Sequence, residues 1–140
     1  MLHNLGSAHK KSGNPGEALQ YFNRALAINQ ELGRYEEMAS NHYMIASIYS
    51  GGGDFETALS HMQEALRCDK LIENSVGIAK DYHALGLIYR KADRPEASYA
   101  SFEKSFTIYE ALKMRGELLK LTPALIELAE ALARPREAEH

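Results

Sequence analysis

Leu5-Gly6-Ser7-Ala8-His9, Ile45-Ala46-Ser47-Ile48-Tyr49 and Leu85-Gly86-Leu87-Ile88-Tyr89 line up without a gap, each 40 residues after the last. The match continues beyond them. Twelve residues after Gly6, Ala46 and Gly86 stand Ala18, Ala58 and Ser98, followed by Phe22, Met62 and Phe102, then Ala25, Ala65 and Ser105, then Leu32, Ile72 and Leu112. Size and polarity agree at each of these positions, so the chain reads as three copies of one unit. Within a unit the apolar residues recur every three or four positions, as in Leu19, Phe22, Leu26 and Tyr99, Phe102, Phe106, which is the helical period.

Each unit divides into two helices. The dividing segments are Ser12-Gly13-Asn14-Pro15, Gly51-Gly52-Gly53-Asp54 and Ala92-Asp93-Arg94-Pro95. Asn14 and Asp54 suit N-caps, and Pro15 and Pro95 suit a first helical position where no N–H is needed. Glu17 completes a capping box, and Gly33 can take the left-handed conformation that ends a helix. Glycine or alanine on the first helix, facing alanine or serine on the second, lets the pair approach closely. A single pair cannot bury both of its apolar stripes, so the units must stack. The expected fold is all-α: three antiparallel hairpins over residues 1–33, 34–74 and 75–114, then a seventh, capping helix over Glu117–Ala133. Leu5, Ile45, Leu85, Leu125, Phe22, Met62 and Phe102 should be buried. Pro123 should kink the last helix or delay its start, and residues 134–140 should fray. First helices of the second and third units begin near Glu36 and Val76. The first would then begin ahead of Met1, which suggests an array that continues upstream.

The pattern Leu-Gly-x-x-His/Tyr, then Ala, Phe and Ala, over Asn4–Ile28, His42–Cys68 and Tyr82–Ile108, resembles the tetratricopeptide repeat. The 40-residue step is similar to the long-helix subtype, while the usual tryptophan near each start and proline at each end are missing. The resemblance covers Met1 to about Ala133. It implies a right-handed superhelix whose concave face is lined by first helices, and a role in protein binding. Some members clamp a terminal carboxylate with a lysine, asparagine and arginine set. Asn4 and Lys80 match single positions of it, but Ser7, Met44 and Ala84 replace others, which argues against that clamp.

Composition excludes more than it selects. The 140 residues are 45% hydrophobic and 25% charged, ordinary for a folded globular chain. A net charge of −3 gives no reason to expect nucleic acid or an anionic membrane as partner. No run of apolar residues approaches a membrane span, and the first residues lack the pattern of a secretory signal. One cysteine, Cys68, allows no internal disulfide; the cytoplasm is the expected compartment.

Catalytic and metal constellations are missing too. His3, His9, His42, His61 and His83 are expected on different units or opposite faces, with no HExxH and no i,i+4 pair, so no metal site is expected. Cys68 shares the register of Ile28 and Ile108 and reads as core filler. The serines lack a nucleophile elbow, and Gly51-Gly52-Gly53 lacks the lysine and hydroxyl of a phosphate loop. Neither an enzyme nor a cofactor is expected.

What remains is the inner row. Projecting the register inward places His3, Tyr43 and His83, then Asn4 and Met44, then Ser7, Ser47 and Leu87 along one face, with Lys80 beside them. Polar groups interleaved with apolar ones suit an extended peptide. The expected function is therefore a scaffold that grips a protein or peptide partner in this groove. The alternative is a regulatory or self-association arm of a larger, bacterial signalling protein. It would form a homo-oligomer through the face of Leu2, Leu5 and Leu19.

Overall fold

The computed structural model describes residues 14–134, and no strand occurs among them. They form six helices: α1 Pro15–Leu32, α2 Tyr35–Gly51, α3 Phe55–Leu71, α4 Ser75–Lys91, α5 Pro95–Ala111 and α6 Arg115–Ala133. The helix expected first in the chain, and the expected frayed tail from 135 on, lie outside the described residues. Each helix packs on its neighbours in sequence, most extensively within the hairpins α2–α3 and α4–α5. The result is an all-α superhelix of stacked pairs.

The 40-residue unit is itself two steps of 20, because the helix starts run Pro15, Tyr35, Phe55, Ser75, Pro95, Arg115. The junctions share one geometry. Residues 33, 53, 73, 93 and 113 are all left-handed, with φ of 67° at Gly33, 87° at Gly53, 53° at Glu73 and 59° at both Asp93 and Lys113. The next amide then reaches back to a carbonyl five residues earlier. Arg34 N–H donates to Asn29 at 3.0 Å, and Asp54, Asn74, Arg94 and Met114 donate to Tyr49, Asp69, Tyr89 and Tyr109 at 2.9 Å. This is the Schellman closure, which satisfies carbonyls that a helix end leaves bare. Three of the six starts are capped by a side chain as well. Asn14, Asp54 and Asn74 each accept, at 3.2 Å, the amide three residues on.

Side-chain size sets how close the helices of a pair come. Gly86 of α4 faces Phe102 of α5, while the same place in the preceding unit pairs Ala46 with Met62. A methyl group on Gly86 would lie 2.4 Å from the Phe102 ring, so the glycine is required by the aromatic. Ser98 uses the approach to donate from its hydroxyl to the Gly86 carbonyl at 2.7 Å. The core runs serially along the array, from Phe22 and Ile45 through Met62 and Leu85 to Phe102, Tyr109 and Leu121. Ile45, Leu85, Phe22, Met62 and Phe102 are buried as expected. Leu125 is only half-buried, because α6 packs against α5 on one side alone among the described residues; Leu5 lies outside them. Cys68 is fully buried, although its register mate Ile28 is exposed.

The last helix departs from expectation at its start. It begins at Arg115, ahead of the expected Glu117, and runs through Pro123. Proline removes one amide, that for the Leu119 carbonyl, and Leu119 is 74% exposed, so water can serve that carbonyl. Thr122, the residue before the proline, donates its hydroxyl to the Leu118 carbonyl at 2.7 Å.

Candidate binding groove

The first helices α2, α4 and α6 line a common groove, and Tyr43 of α2 stands in its middle. Three cavities adjoin along it, of about 310, 340 and 380 Å³, and the Tyr43 side chain borders all three. The first lies between α2, the end of α3 and the start of α4, and adds Met44, Ser40, Asp69, Asn74, Gly77, Lys80 and Asp81. The second, toward α6, adds Lys80, His83, Tyr109, Glu117 and Lys120. The third adds Ser47, Met62, Leu87 and Lys91. Tyr43, Met44, Ser47, Lys80, His83 and Leu87 thus come together in one groove. His3, Asn4 and Ser7 lie outside the described residues.

The groove has distinct electrostatics along its length. Lys80 places Nζ 5.8 Å from the centroid of the Tyr43 ring, a cation–π distance. Burial, then the Asp81 carboxyl, pushes the Tyr43 phenol above its ordinary range, so it is neutral and able to donate. His83 sets its ring edge-on to Phe102 at 5.7 Å, and burial lowers its pKa. Its ring serves the core as well as the groove.

Sequence reasoning missed the floor of the first cavity. Asp69 and Asp81 are 5% and 2% exposed, and the two carboxyls stand side by side. Burial, then the neighbouring Asp69 carboxyl, raises the Asp81 pKa to about 9. Asp81 Oδ2 is the one buried side-chain polar atom left without a hydrogen-bond partner among the described residues. Neither aspartate belongs to a repeat signature. Only their shared 40-residue step, with Asn29 and Asn41 before them and Tyr109 and Leu121 after, could have singled them out.

The histidines need a correction. His42 and His61, expected apart, belong to the two helices of one hairpin and meet with Nδ1 atoms 3.0 Å apart. An antiparallel hairpin brings these positions face to face, which a helix-by-helix projection does not show. Tyr49 stacks on His61 at 5.9 Å. Burial, then the His61 charge, lowers the His42 pKa to about 4, so this is a neutral pair sharing one N–H. Among the described residues no group of three or more histidine, cysteine or acidic side chains is placed to hold a metal ion. Burial pushes the Cys68 thiol up, away from the reactive thiolate. No described helix is long and apolar enough to cross a membrane.

Comparison with known proteins identifies the class that this stacking defines. The tetratricopeptide repeat model matches residues 1–71 and again 37–111, and the chain belongs to that family. Superkiller protein 3 of Schizosaccharomyces pombe is 33% identical over 67% of this chain, a stretch that is 7% of that protein's length. BtubC from P. vanneervenii superimposes with a TM-score of 0.71 at 17% identity, over 96% of this chain and 65% of BtubC. A Rap protein complexed with Competence and Sporulation Factor gives 0.72 at 16% identity, over 92% of this chain and 42% of that one. This chain therefore spans less than two thirds of these proteins. Repeats of this family are protein-interaction scaffolds, and the fold is typically non-enzymatic.

Proposed function

We propose that this chain grips an extended segment of a partner protein in the groove between α2, α4 and α6, with Tyr43 as the anchor. One observation carries the reading: a single half-buried aromatic borders three adjoining cavities in the middle of the array. Rigid aromatics in central, partly desolvated places carry a disproportionate share of binding energy. Ser47 offers a hydroxyl for a peptide backbone, and Met44 and Leu87 give adaptable apolar contact. The Rap complex supports the use of such an array as a receptor.

The test is capture of partners from the source cells with the full-length protein, followed by titration of the captured partner. Tyr43→Ala should weaken binding by about 2 kcal/mol, roughly thirtyfold. Gln20→Ala and Gln63→Ala, on exposed faces away from the groove, should leave it unchanged. A melting curve of each variant separates lost binding from lost fold. Equal affinity for wild type and Tyr43→Ala would move the binding site off the inner row.

A second reading is a self-association or regulatory arm of a larger signalling protein; Leu2 and Leu5 of the face expected to carry it lie outside the described residues, and it is favoured instead by apolar side chains left open on α6. Leu119 is 74% exposed and Ile126 53%. Light scattering of the chain against a Leu119→Glu/Ile126→Glu variant tests it. A concentration-independent monomer in both would end this reading.

A further inference from the structure

The contact between one unit's second helix and the next unit's first recurs with three different chemistries. In the first, Asn29 of α1 donates to Asn41 of α2 at 2.7 Å, a neutral pair that satisfies itself. One step on, the same two places hold Asp69 of α3 and Asp81 of α4. A further step on they hold Tyr109 and Leu121, both buried and apolar in contact. The fold therefore accepts an amide pair or an apolar pair here. Two buried carboxyls are the costly choice, since like charges in a poorly hydrated place repel. Among the described residues no cation lies within ion-pair distance of either carboxyl. Lys80, whose charge bears on Asp81, lies over the Tyr43 ring instead.

A second, independent feature marks the same place. Gly77 sits in the first turn of α4, where a Cβ would fall 2.7 Å from the Asp69 carboxyl carbon and from its Oδ1, and 2.6 Å from Asn74 Nδ2. The equivalent positions one step away on either side are Glu37 and Glu117, full side chains. Only in the middle contact does a glycine let a carboxyl settle directly against the first turn of the next helix. Asn74 then steadies the carboxyl, its Nδ2 donating to Asp69 Oδ1 at 3.3 Å while its own Oδ1 caps Gly77 N–H. Asp69, Gly77 and Asp81 line the first groove cavity, and the buried Asp81 Oδ2 has no hydrogen-bond partner there.

We propose that the Asp69–Asp81 pair is a receptor for one guanidinium group, so that the bound segment presents an arginine to the first cavity beside Tyr43. The inference rests on the groove reading and specifies what the groove selects. A guanidinium is planar, carries five N–H donors and is weakly hydrated, so it can fork to both carboxyls and lie against an aromatic wall. An ammonium is a compact, strongly hydrated point charge that matches neither. The groups facing the pair are Glu36 and Tyr43 from α2, the Cys68 thiol from α3, Lys80 from α4 and Tyr109 from α5. Of these Lys80 alone is cationic, and it opposes the raised Asp81 pKa only as the smallest of four effects. In the empty groove the pair retains a proton at neutral pH. An arriving guanidinium takes over the oxygens, and that proton leaves to solvent.

The probe is the pentapeptide acetyl-Ala-Ala-Arg-Ala-Ala-amide, with lysine and with citrulline, the neutral isostere, in the arginine position. Titration into isotopically labelled protein should shift the amides of Gly77, Asp81 and Tyr43. Calorimetry in two buffers of different ionisation enthalpy should show release of a proton on binding at pH 7. Citrulline should bind at least about tenfold more weakly. Asp69→Asn/Asp81→Asn rebuilds the Asn29–Asn41 pair, which this fold already contains, so the variant should keep its helicity and lose the arginine preference. No shift at millimolar arginine peptide, equal binding of citrulline, or equal binding of lysine would each overturn the guanidinium assignment. The groove reading fails separately. If the double variant holds the captured partner as wild type does while Tyr43→Ala loses it, the groove stands and the guanidinium site falls.

Discussion

Replacing Gly86 with alanine adds a single methyl group at the tightest glycine contact among the described residues, and two effects of opposite sign meet there. Glycine in a helix interior is about 1 kcal/mol worse than alanine, so on propensity the change should stabilise. The new Cβ, however, would lie 2.4, 2.5 and 2.9 Å from three atoms of the Phe102 ring. Carbon atoms pack at about 3.5–4.0 Å, so the ring would have to retreat by about 1 Å. It has nowhere to go. Phe102 is fully buried, with the His83 ring against it at 5.7 Å and the Arg90 guanidinium over it at 5.6 Å. Overpacking of this kind costs about 1–3 kcal/mol, so Gly86→Ala should destabilise by about 1 kcal/mol net. The preceding unit supplies the control, since Ala46 and Met62 occupy these places without conflict. In a Phe102→Met background the methionine can bend aside, and the same Gly86→Ala change should stabilise by about 0.5–1 kcal/mol. The coupling between the two sites is then about 2 kcal/mol. Urea unfolding of wild type, both single variants and the double variant, followed by far-ultraviolet circular dichroism, measures it. A gain of about 1 kcal/mol from Gly86→Ala in the wild-type background, or an equal effect in both backgrounds, would refute the size-matching argument.

Lys113 holds a left-handed backbone with φ 59° at a junction where Gly33 and Gly53 serve elsewhere. Lys113→Gly should therefore raise stability by up to about 1 kcal/mol in the same unfolding assay, and a loss would mean that the lysine side chain holds the turn. Stability should also depend on pH with two limbs. The Asp81 pKa is raised from 3.8 to about 9, so the folded chain keeps a proton the unfolded chain gives up. Its contribution is full below pH 3.8 and is lost as pH rises toward 9. The His42 pKa is lowered from 6.5 to about 4, so its contribution is present above 6.5 and is lost as pH falls toward 4. The limbs oppose each other between 4 and 6.5. Above that the carboxyl pair leads, with a loss of at most about 1.4 kcal/mol per pH unit, and the raised Cys68 thiol adds to it only as pH nears 9. Unfolding midpoints at pH 6.5, 7.5 and 8.5 should fall for wild type and stay level for Asp69→Asn/Asp81→Asn; a parallel fall in the variant would remove the pair as its cause.

The helices and their register were legible because size is written into the sequence: Gly86 with Ser98 and Ala46 with Ala58 announce a close contact, although that Gly86 meets the Phe102 ring appears only in the structure. Helix ends were legible where a side chain or a glycine declares them, as at Asn14, Asp54 and Gly33. Glu73, Asp93 and Lys113 declare nothing. Their left-handed backbones are imposed by the packing of the helices on either side, which a local reading cannot weigh. Tyr43, Met44, Ser47, Lys80, His83 and Leu87 could be placed together because all lie on first helices at positions that a repeat makes comparable. The aspartate pair and the histidine pair were invisible for one shared reason. Each joins two helices, and a projection made one helix at a time assigns its members to separate faces. Neither Asp69 nor Asp81 is unusual alone; the chemistry arises from their meeting.

The even 20-residue stride of the helix junctions gives the chain a simple grammar of insertion and deletion. Adding or removing two strides, cut at any left-handed junction, leaves every later turn in phase and every first helix still facing the groove. A single stride does the reverse, because it exchanges the roles of inner and outer helices from that point onward. Seams between whole units are thus where arrays of this kind can lengthen, shorten or recombine without redesign. Joining Gly33 directly to Asn74 would set Asn29 opposite Asp81, an amide against a carboxyl. Such a shortened array would lose the acidic floor of its groove while gaining a satisfied contact in its place.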